Sequence, residues 1–168
     1  MKRTLNNGTT VQVRSIRAQD KDALSAALTH LSPASVQARF LGPKSRFSAS
    51  ELRYLTEVDG HDHVALVAEL DGQPGSIAAV GRWVRLPEAP DTAEFAIVVG
   101  DPLQGLGLGS ILADDLVAIA KAQGITRFTA TALSENAAIV RIMKRLSDHL
   151  ERHHSGVGVS EMSIDLAA

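Results

Sequence analysis

The chain has 168 residues, 45% of them hydrophobic and 21% charged, and its formal net charge at pH 7 is −2. This length and composition are typical of one globular domain, and the small net charge gives no reason to expect nucleic acid or an anionic membrane as a partner. The sequence has no cysteine, which excludes disulfides, a thiol nucleophile and thiolate metal sites. No signal peptide and no apolar run of the roughly 18–20 residues that cross a membrane is recognisable, so we expect a cytoplasmic protein.

The first third of the chain predicts one strand and three short helices. Residues 11–17 alternate in polarity as a strand does, and helical patterns follow over residues 18–31, 32–40 and 48–58. Each helix has a capping signal near its start, namely Asp20, Ser32 with Pro33 in the first helical position, and Ser48 with Glu51 three residues later.

The middle of the chain predicts three strands. Residues 63–70 and 76–86 flank the turn sequence at 71–75 and form a hairpin. Residues 87–92 are predicted as a loop, and residues 93–99 as the third strand. Asp101 and Pro102 end that strand, because proline cannot donate to a strand ladder.

The last third predicts a helix, a strand, a second helix and a final strand. Apolar residues at helical spacing indicate a helix from residue 110 to Gly124, followed by a strand over 125–132. We then predict a helix over 134–154 capped by Ser134, and a strand over 157–166. The element order predicts one mixed α/β domain over residues 1–168.

Three alternating glycines, Gly105, Gly107 and Gly109, stand between the third middle strand and the following helix. A glycine-rich turn at a helix start can bind an anion, because free N–H groups and the helix dipole point at the ligand and no Cβ blocks its approach. The Walker pattern is absent, and the spacing G-x-G-x-G differs from the dinucleotide fingerprint. A tight turn without any ligand explains the glycines as well, so both readings stay open.

The segment from Val98 through Asn136 resembles the coenzyme A-binding core of the GNAT acetyltransferase superfamily. The residues that carry the resemblance are Val99, Pro102, Gln104, Gly107 and Gly109, with the sequence Ser-Glu-Asn after the next strand. The element order matches over nearly the whole chain, and residues 38–70 further resemble bacterial protein-lysine acetyltransferases. The resemblance implies a mostly antiparallel central sheet with helices on both faces, the acyl-CoA N-acyltransferase fold.

The resemblance also implies that acetyl-CoA is the co-substrate, and the sequence itself gives no reason to expect a metal. It implies that backbone N–H groups of residues 104–110 hold the pyrophosphate, and that residues 97–99 bind the pantetheine arm on a strand splayed from its neighbour. One N–H of that strand would polarise the thioester carbonyl. The implied contact residues are Ile97, Val98, Val99, Gln104, Gly105, Leu106, Gly107, Leu108, Gly109, Ser110 and Asn136. An alternative interpretation is that residues 97–99 are simply a core strand. For Asn136, the alternative is a residue in the first turn of a helix.

Glu94 lies five positions before Val99, where many family members carry a glutamate general base. If it faces inward, partial desolvation makes its carboxylate a better proton acceptor; the alternative is a strand carboxylate facing water. The tyrosine that the family often places seven residues after the asparagine is Met143 here, which puts a proton donor to the leaving thiolate in doubt. The implied reaction is direct attack of a primary amine, either a protein lysine or a small molecule.

Two other classes of function stay open: a coenzyme A-binding sensor that has lost catalysis, and an α/β domain that binds no acyl-CoA. A homodimer is common in the family, but no stretch of this sequence indicates one. The histidines of residues 61–63 and 153–154 lack metal-ligand spacing and are expected to be solvated. Arg39, Phe40 and Arg46 lie in the acceptor-side region of the resemblance, although helix packing and surface charge explain them equally well.

Overall fold

The computed structural model describes residues 1–166, which form one eight-stranded sheet flanked by helices. The strands are β1 (Lys2–Thr4), β2 (Thr10–Ser15), β3 (His63–Leu70), β4 (Ile77–Leu86), β5 (Ala89–Val99), β6 (Arg127–Leu133), β7 (Leu150–Gly156) and β8 (Val159–Asp165). The α-helices are α1 (Lys21–Thr29), α2 (Pro33–Phe40), α3 (Ala49–Thr56), α4 (Leu108–Ala122) and α5 (Ala137–Leu146). None of these helices is both long and apolar enough to cross a membrane.

The strand order is β1-β2-β3-β4-β5-β6-β8-β7, and β5 with β6 is the parallel pair among otherwise antiparallel neighbours. One sheet face packs on α4 and α5 through a core that includes Trp83, Phe95 and Phe128. The opposite face packs beneath α1 to α3 through a smaller cluster that includes Val67, Val80 and Val98. The predicted fold class, a mostly antiparallel sheet with helices on both faces, is confirmed.

Two helix starts have the hydrogen bonds that the sequence predicts. The Ser32 hydroxyl accepts from the Ser35 N–H, and Ser48 with Glu51 forms a complete capping box. Asp20 occupies the N-cap position of α1 but gives no cap bond to that helix. Its carboxylate instead accepts from the backbone N–H of Arg17 and from the guanidinium of Arg14. The position of Asp20 was therefore predicted, but its bonding was not.

One boundary in the middle of the chain and one short strand near its beginning differ from the prediction. The loop predicted over 87–92 is wrong, because β5 begins at Ala89 and leaves a turn of Pro87 and Glu88. Pro90 is tolerated because the β4–β5 register is irregular there. The strand β1, three residues long and mostly exposed, was not predicted.

The predicted helix over 134–154 is wrong in its second half and in its cap. Asn136, not Ser134, caps α5, which ends at Leu146. Residues 150–156 form β7, which pairs with β8 at the edge of the sheet. Nearly every β7 residue is exposed, so the strand lacks the apolar alternation that identifies strands in a sequence.

Candidate functional site

The sheet opens between β5 and β6. Their parallel pairing covers only Thr92 to Glu94 on β5, whereas β4 stays paired with β5 as far as Val99. Five residues of β5, from Phe95 to Val99, therefore have no partner strand on the β6 side. This is the splayed strand that the family resemblance implied, and it exposes backbone polar groups to whatever lies in the gap.

Alternation along β5 determines which groups face the gap. The N–H of Gly100 donates to Ala78 on β4 at 2.8 Å, so the backbone groups of Val98 and Ala96 also point toward β4. The backbone groups of Ile97 and Val99 consequently point into the gap. The carbonyl of Val99 is engaged there, accepting from the Gln104 side-chain amide at 3.0 Å. The N–H groups of Ile97 and Val99 are thus the donors that this strand offers.

The three glycines serve different structural needs. Gly105 and Gly107 have φ of 74° and 90°, in the left-handed region that favours glycine. Gly109 lies inside the first turn of α4, where a Cβ would come within 3.2 Å of Ile142 on α5. The turn therefore explains two of the glycines and helix packing explains the third, without reference to any ligand.

The start of α4 also presents free backbone donors. Gly107 is its N-cap, so the N–H groups of Leu108, Gly109 and Ser110 have no partner inside the helix. The backbone hydrogen bonds of residues 1–166 give them no other acceptor. Asn6, from the β1–β2 turn, lies beside Gly107 and donates its backbone N–H to Leu106. Sequence reasoning missed Asn6, because nothing local connects it with a loop a hundred residues away.

A groove of about 670 Å³ joins the gap in the sheet to the start of α4. The predicted residues that line it are Ile97, Val98, Val99, Gln104, Gly105, Gly107, Gly109, Ser110 and Asn136. Leu108 is buried in the core and Leu106 packs against it, so these two can contribute only backbone groups. Asn136 caps α5 by accepting from the Ile139 N–H, as the alternative reading expected, and it lines the groove as well.

Arginine side chains line one end of the groove, and hydrogen-bonded polar residues line the opposite side. Arg141 and Arg145 line it from α5, and Arg145 is held by Asp114 on α4. On the other side, Asp101 accepts hydrogen bonds from Ser32, the N-cap of α2, and from Ser35, and these bonds hold the pKa of Asp101 below its usual value. The start of α2 is thereby tied to the loop that precedes the glycines.

Glu94 lies on the sheet face beneath α1 to α3, two positions before Ala96 on the same face of β5. Its side chain is exposed, so the partial desolvation expected for an inward-facing carboxylate does not occur. Met143, at the position where the family often has tyrosine, is fully buried in the core under α5. The role of Glu94 as a base stays a prediction.

A second cavity, of about 490 Å³, lies between the sheet and α1, α2 and the segment before α3. Its lining is mostly aliphatic and aromatic, and it shares Arg39, Val98 and Leu103 with the groove. We call it the apolar cavity. The apolar cavity and the groove are therefore adjacent to each other at these three residues.

Two arginines line the apolar cavity. Arg82, on β4, is only 6% exposed; it donates to the Leu55 carbonyl and lies 3.0 Å from Nε2 of His63. Burial and the nearby charge of Arg39 lower its pKa to about 10. Burial, with the charge of Arg82, also lowers the pKa of His63 to about 4, so this imidazole is neutral at pH 7. Arg82 and His63 were missed as site residues, although an arginine in the middle of an apolar strand is a signal that could have found the first.

The other histidines lie apart from these spaces or on their rims. His61 is exposed and contacts Asp62, and His153 and His154 are exposed on β7. Within residues 1–166, no three potential metal-ligating side chains come together.

Comparison with known proteins identifies relatives over most of the chain. The pattern of the Acetyltransferase (GNAT) family matches residues 33–156. Acetyltransferase Pat of Mycolicibacterium smegmatis is 39% identical over 67% of this chain, a match that spans only 34% of that longer protein. An acetyltransferase of Pseudomonas aeruginosa is 30% identical over 81% of this chain and 73% of its own length.

Among solved structures, the GNAT domain of S. lividans PAT superposes with a TM-score of 0.86 at 30% identity. The match covers 99% of this chain and 96% of that domain. Nearly the whole fold therefore has a counterpart of known structure.

Proposed function

The chain belongs to the Acetyltransferase (GNAT) family, and from that premise we propose that it transfers the acetyl group of acetyl-CoA to a primary amine. The observation that carries the proposal is the unpaired stretch of β5 from Phe95 to Val99, which lies next to the free N–H groups at the start of α4. The residues present fit acetyl-CoA, because the groove offers an anion site at one end and strand donors at the other.

The anion site is proposed to hold the pyrophosphate. The N–H groups of Leu108, Gly109 and Ser110 point along the axis of α4, where the helix dipole favours negative charge. Gly105 and Gly107 give the loop its left-handed turns and leave the backbone without side chains on the ligand side. Asn6, Arg141 and Arg145 add polar and positive groups around the same space.

The strand donors are proposed to hold and polarise the thioester. Acetyl-CoA supplies an activated acyl carbonyl, and the N–H of Ile97 or Val99 would donate to its oxygen as negative charge develops. Val98, which the resemblance also implied, turns its backbone toward β4 and lines the groove with its side chain. All three residues of this strand are therefore proposed to contact acetyl-CoA, but only Ile97 and Val99 offer a backbone N–H to it.

The amine attacks the carbonyl carbon, the new C–N bond forms, and the C–S bond breaks as coenzyme A leaves. The amine must lose a proton, and Glu94 is the acid on β5 that faces the amine's side of the sheet. Along the strand, the Cα atoms of Glu94 and Ile97 are about 10 Å apart, so transfer through water fits better than direct contact. Buried Met143 supplies no proton, and the thiolate, whose ordinary pKa is about 8.5, can leave without one.

The acceptor is proposed to be a primary amine, and the family resemblance suggested a protein lysine among other amines. One observation favours a different class of function: Met143 fills the position where a proton donor is common. A domain that binds coenzyme A without transferring acetyl groups is therefore the second candidate.

Thermal unfolding with acetyl-CoA, free coenzyme A and ATP tests the groove. A ligand at about 100 times its dissociation constant adds about 2.7 kcal/mol to the free energy of unfolding, which is a shift of several degrees. We expect a shift with both forms of coenzyme A and little with ATP. No shift with either form would contradict the proposal, and a shift without thiol release on a panel of amines would favour the sensor.

A further inference from the structure

The two arginines that line the apolar cavity carry positive charge that the residues around them do not balance. Arg82 is buried, and its hydrogen-bond partners, the neutral His63 and the Leu55 carbonyl, carry no negative charge. Arg39 lies at the junction of the cavity and the groove, with its guanidinium 5.1 Å from the centre of the Phe40 ring. Within residues 1–166 neither arginine forms an ion pair with a carboxylate.

The uncompensated charge needs an anion from outside the chain. A buried cation without a counter-charge is unfavourable, and a second, partly buried cation nearby makes it more so. Glu94 attracts Arg39 through space but is exposed and bonds to neither arginine. The guanidinium is the side chain that best recognises a carboxylate, with paired donors in a planar fork.

The position of the arginines also restricts where the amine of the ligand can be. Arg82 lies opposite Ala96 on the neighbouring strand, between Glu94 and Val98 along the same face of β5. A carboxylate held between Arg82 and Arg39 would leave the α-amino group one carbon away, toward the groove in which the thioester is proposed to lie. The amine then stands between the proposed base and the proposed strand donors.

The other residues that line the apolar cavity favour a ligand with an apolar side chain. Leu24, Leu28, Phe47 and Val80 line it, and its volume of about 490 Å³ exceeds what a single small side chain fills. Pockets of a few hundred Å³ with few polar groups typically bind small molecules by their apolar parts. A lysine side chain on a protein brings a cation and no carboxylate, so it would leave both arginines unbalanced.

We propose that the acceptor is a free α-amino acid with an apolar side chain, whose carboxylate is bound by Arg39 and Arg82. This inference rests on the proposed acetyl transfer. The α-amino nitrogen bonds to the acetyl carbon, the C–S bond breaks, and the proton lost by the amine leaves by way of Glu94, so that an N-acetylamino acid and coenzyme A are the products.

The test compares L-leucine with L-leucinamide as acceptors, followed by release of the coenzyme A thiol. The two share the same amine and apolar body, but only leucine has a carboxylate. The amide has the less basic amine, so a preference for leucine cannot come from a larger unprotonated fraction. We expect kcat/KM for L-leucine to be about 100-fold higher, as a charged hydrogen-bonded pair in a buried site provides.

The Arg39→Gln variant should reduce this ratio to about threefold or less by raising KM for L-leucine, and Arg82→Lys should reduce it because an ammonium lacks the planar fork. The matched control is Arg46→Gln, an exposed arginine that lines neither space and should preserve the ratio. Calorimetric titration of L-leucine into protein saturated with coenzyme A gives a readout that does not depend on turnover.

The proposal would be overturned if leucine and leucinamide were used equally well, or if the ratio were unchanged in Arg39→Gln. It would also be overturned if Nα-acetyl-lysinamide, whose free ε-amine stands for a protein lysine, were the better acceptor. Failure of L-leucine to bind the coenzyme A complex would overturn it as well. If coenzyme A itself gives no thermal shift, the proposed acetyl transfer fails first; if it shifts unfolding and leucine does not bind, only the acceptor assignment fails.

Discussion

The groove and the apolar cavity meet at Arg39, Val98 and Leu103, yet they are built from different parts of the chain. The groove offers mainly backbone N–H groups from one strand and the loop that follows it. The cavity offers side chains from α1, α2, β4 and β5 that only packing brings together. The groove should therefore respond most to changes in backbone conformation, and the cavity to changes in side-chain charge and in the layer of helices above it.

The helix layer above the cavity is anchored by a buried ion network. Arg14 on β2 makes paired hydrogen bonds to Asp20 before α1 and to Glu69 on β3, with distances of 2.7–3.1 Å. Both carboxylates are less than a tenth exposed. The hydrogen bonds with Arg14 hold the pKa of each carboxyl below its usual value.

The largest expected effect is from Arg14→Met. It leaves two buried carboxylates without a cation, so we expect the free energy of unfolding to fall by about 3–5 kcal/mol at pH 7. Lowered carboxyl pKa values mean that the wild-type network stabilises the fold above the unfolded-state pKa of about 4 and loses that contribution as pH falls further. The difference between variant and wild type should therefore shrink from pH 7 toward pH 3.

Urea unfolding followed by circular dichroism at several pH values measures this difference. Arg46→Met, which removes an exposed arginine, is the control and should change stability by less than about 0.5 kcal/mol. A loss in Arg14→Met that is independent of pH would contradict the assigned role of the two carboxylates.

The next effect is from Gly107→Glu, which tests the groove alone. A side chain at φ 90° is strained, and a carboxylate there repels the proposed pyrophosphate, so we expect coenzyme A affinity to fall by at least about 100-fold. Gly124→Glu is the matched control: Gly124 has φ 77° at the other end of α4, with open space around it. Both variants should lose similar stability, but only the first should lose affinity in calorimetry. Equal affinities in the two variants would remove the loop from the binding site.

Glu94→Gln tests the proposed base, which lies on the same face of β5 as Val98, a residue that lines both spaces. The variant should keep its coenzyme A affinity and lower kcat by about 10²-fold, since a positioned base contributes that much or more. Glu161→Gln, an exposed carboxylate on β8, should leave kcat unchanged. Equal kcat in wild type and Glu94→Gln across pH 6–9 would exclude Glu94 from proton removal.

The smallest expected effect concerns helix packing at Gly109. Alanine improves helix propensity by up to about 1 kcal/mol, but its Cβ would meet Ile142 Cδ1 at 3.2 Å. Gly109→Ala should therefore be nearly neutral alone and stabilising in an Ile142→Val background, where that carbon is absent. Urea unfolding of the two single variants and the double variant measures the coupling free energy between positions 109 and 142. Additive effects would show that the contact with Ile142 is not what disfavours alanine at position 109.

Much of the site's local structure was predictable, because short-range rules determine it. Ser32 and Ser48 cap their helices as predicted, and Gly124 ends α4 in a left-handed conformation. The glycine stretch marked the loop correctly, although α4 begins at Leu108 instead of Ser110. The sequence alone could not show that the three glycines are required for different reasons, because Gly109 is required by its contact with Ile142, a residue on another helix.

The sequence by itself determined the alternation of strands and helices, the capped helix starts and the glycine turn, because each depends on residues within a few positions of one another. Only the tertiary structure decided that residues 150–156 become an edge strand, that β6 leaves β5 after Glu94, and that Arg39 and Arg82 share one cavity. These outcomes depend on contacts between distant parts of the chain. A strand exposed on both faces or an arginine in an apolar strand has no local pattern that reveals its partner, so its role becomes visible only when the sheet and the helix layers are assembled.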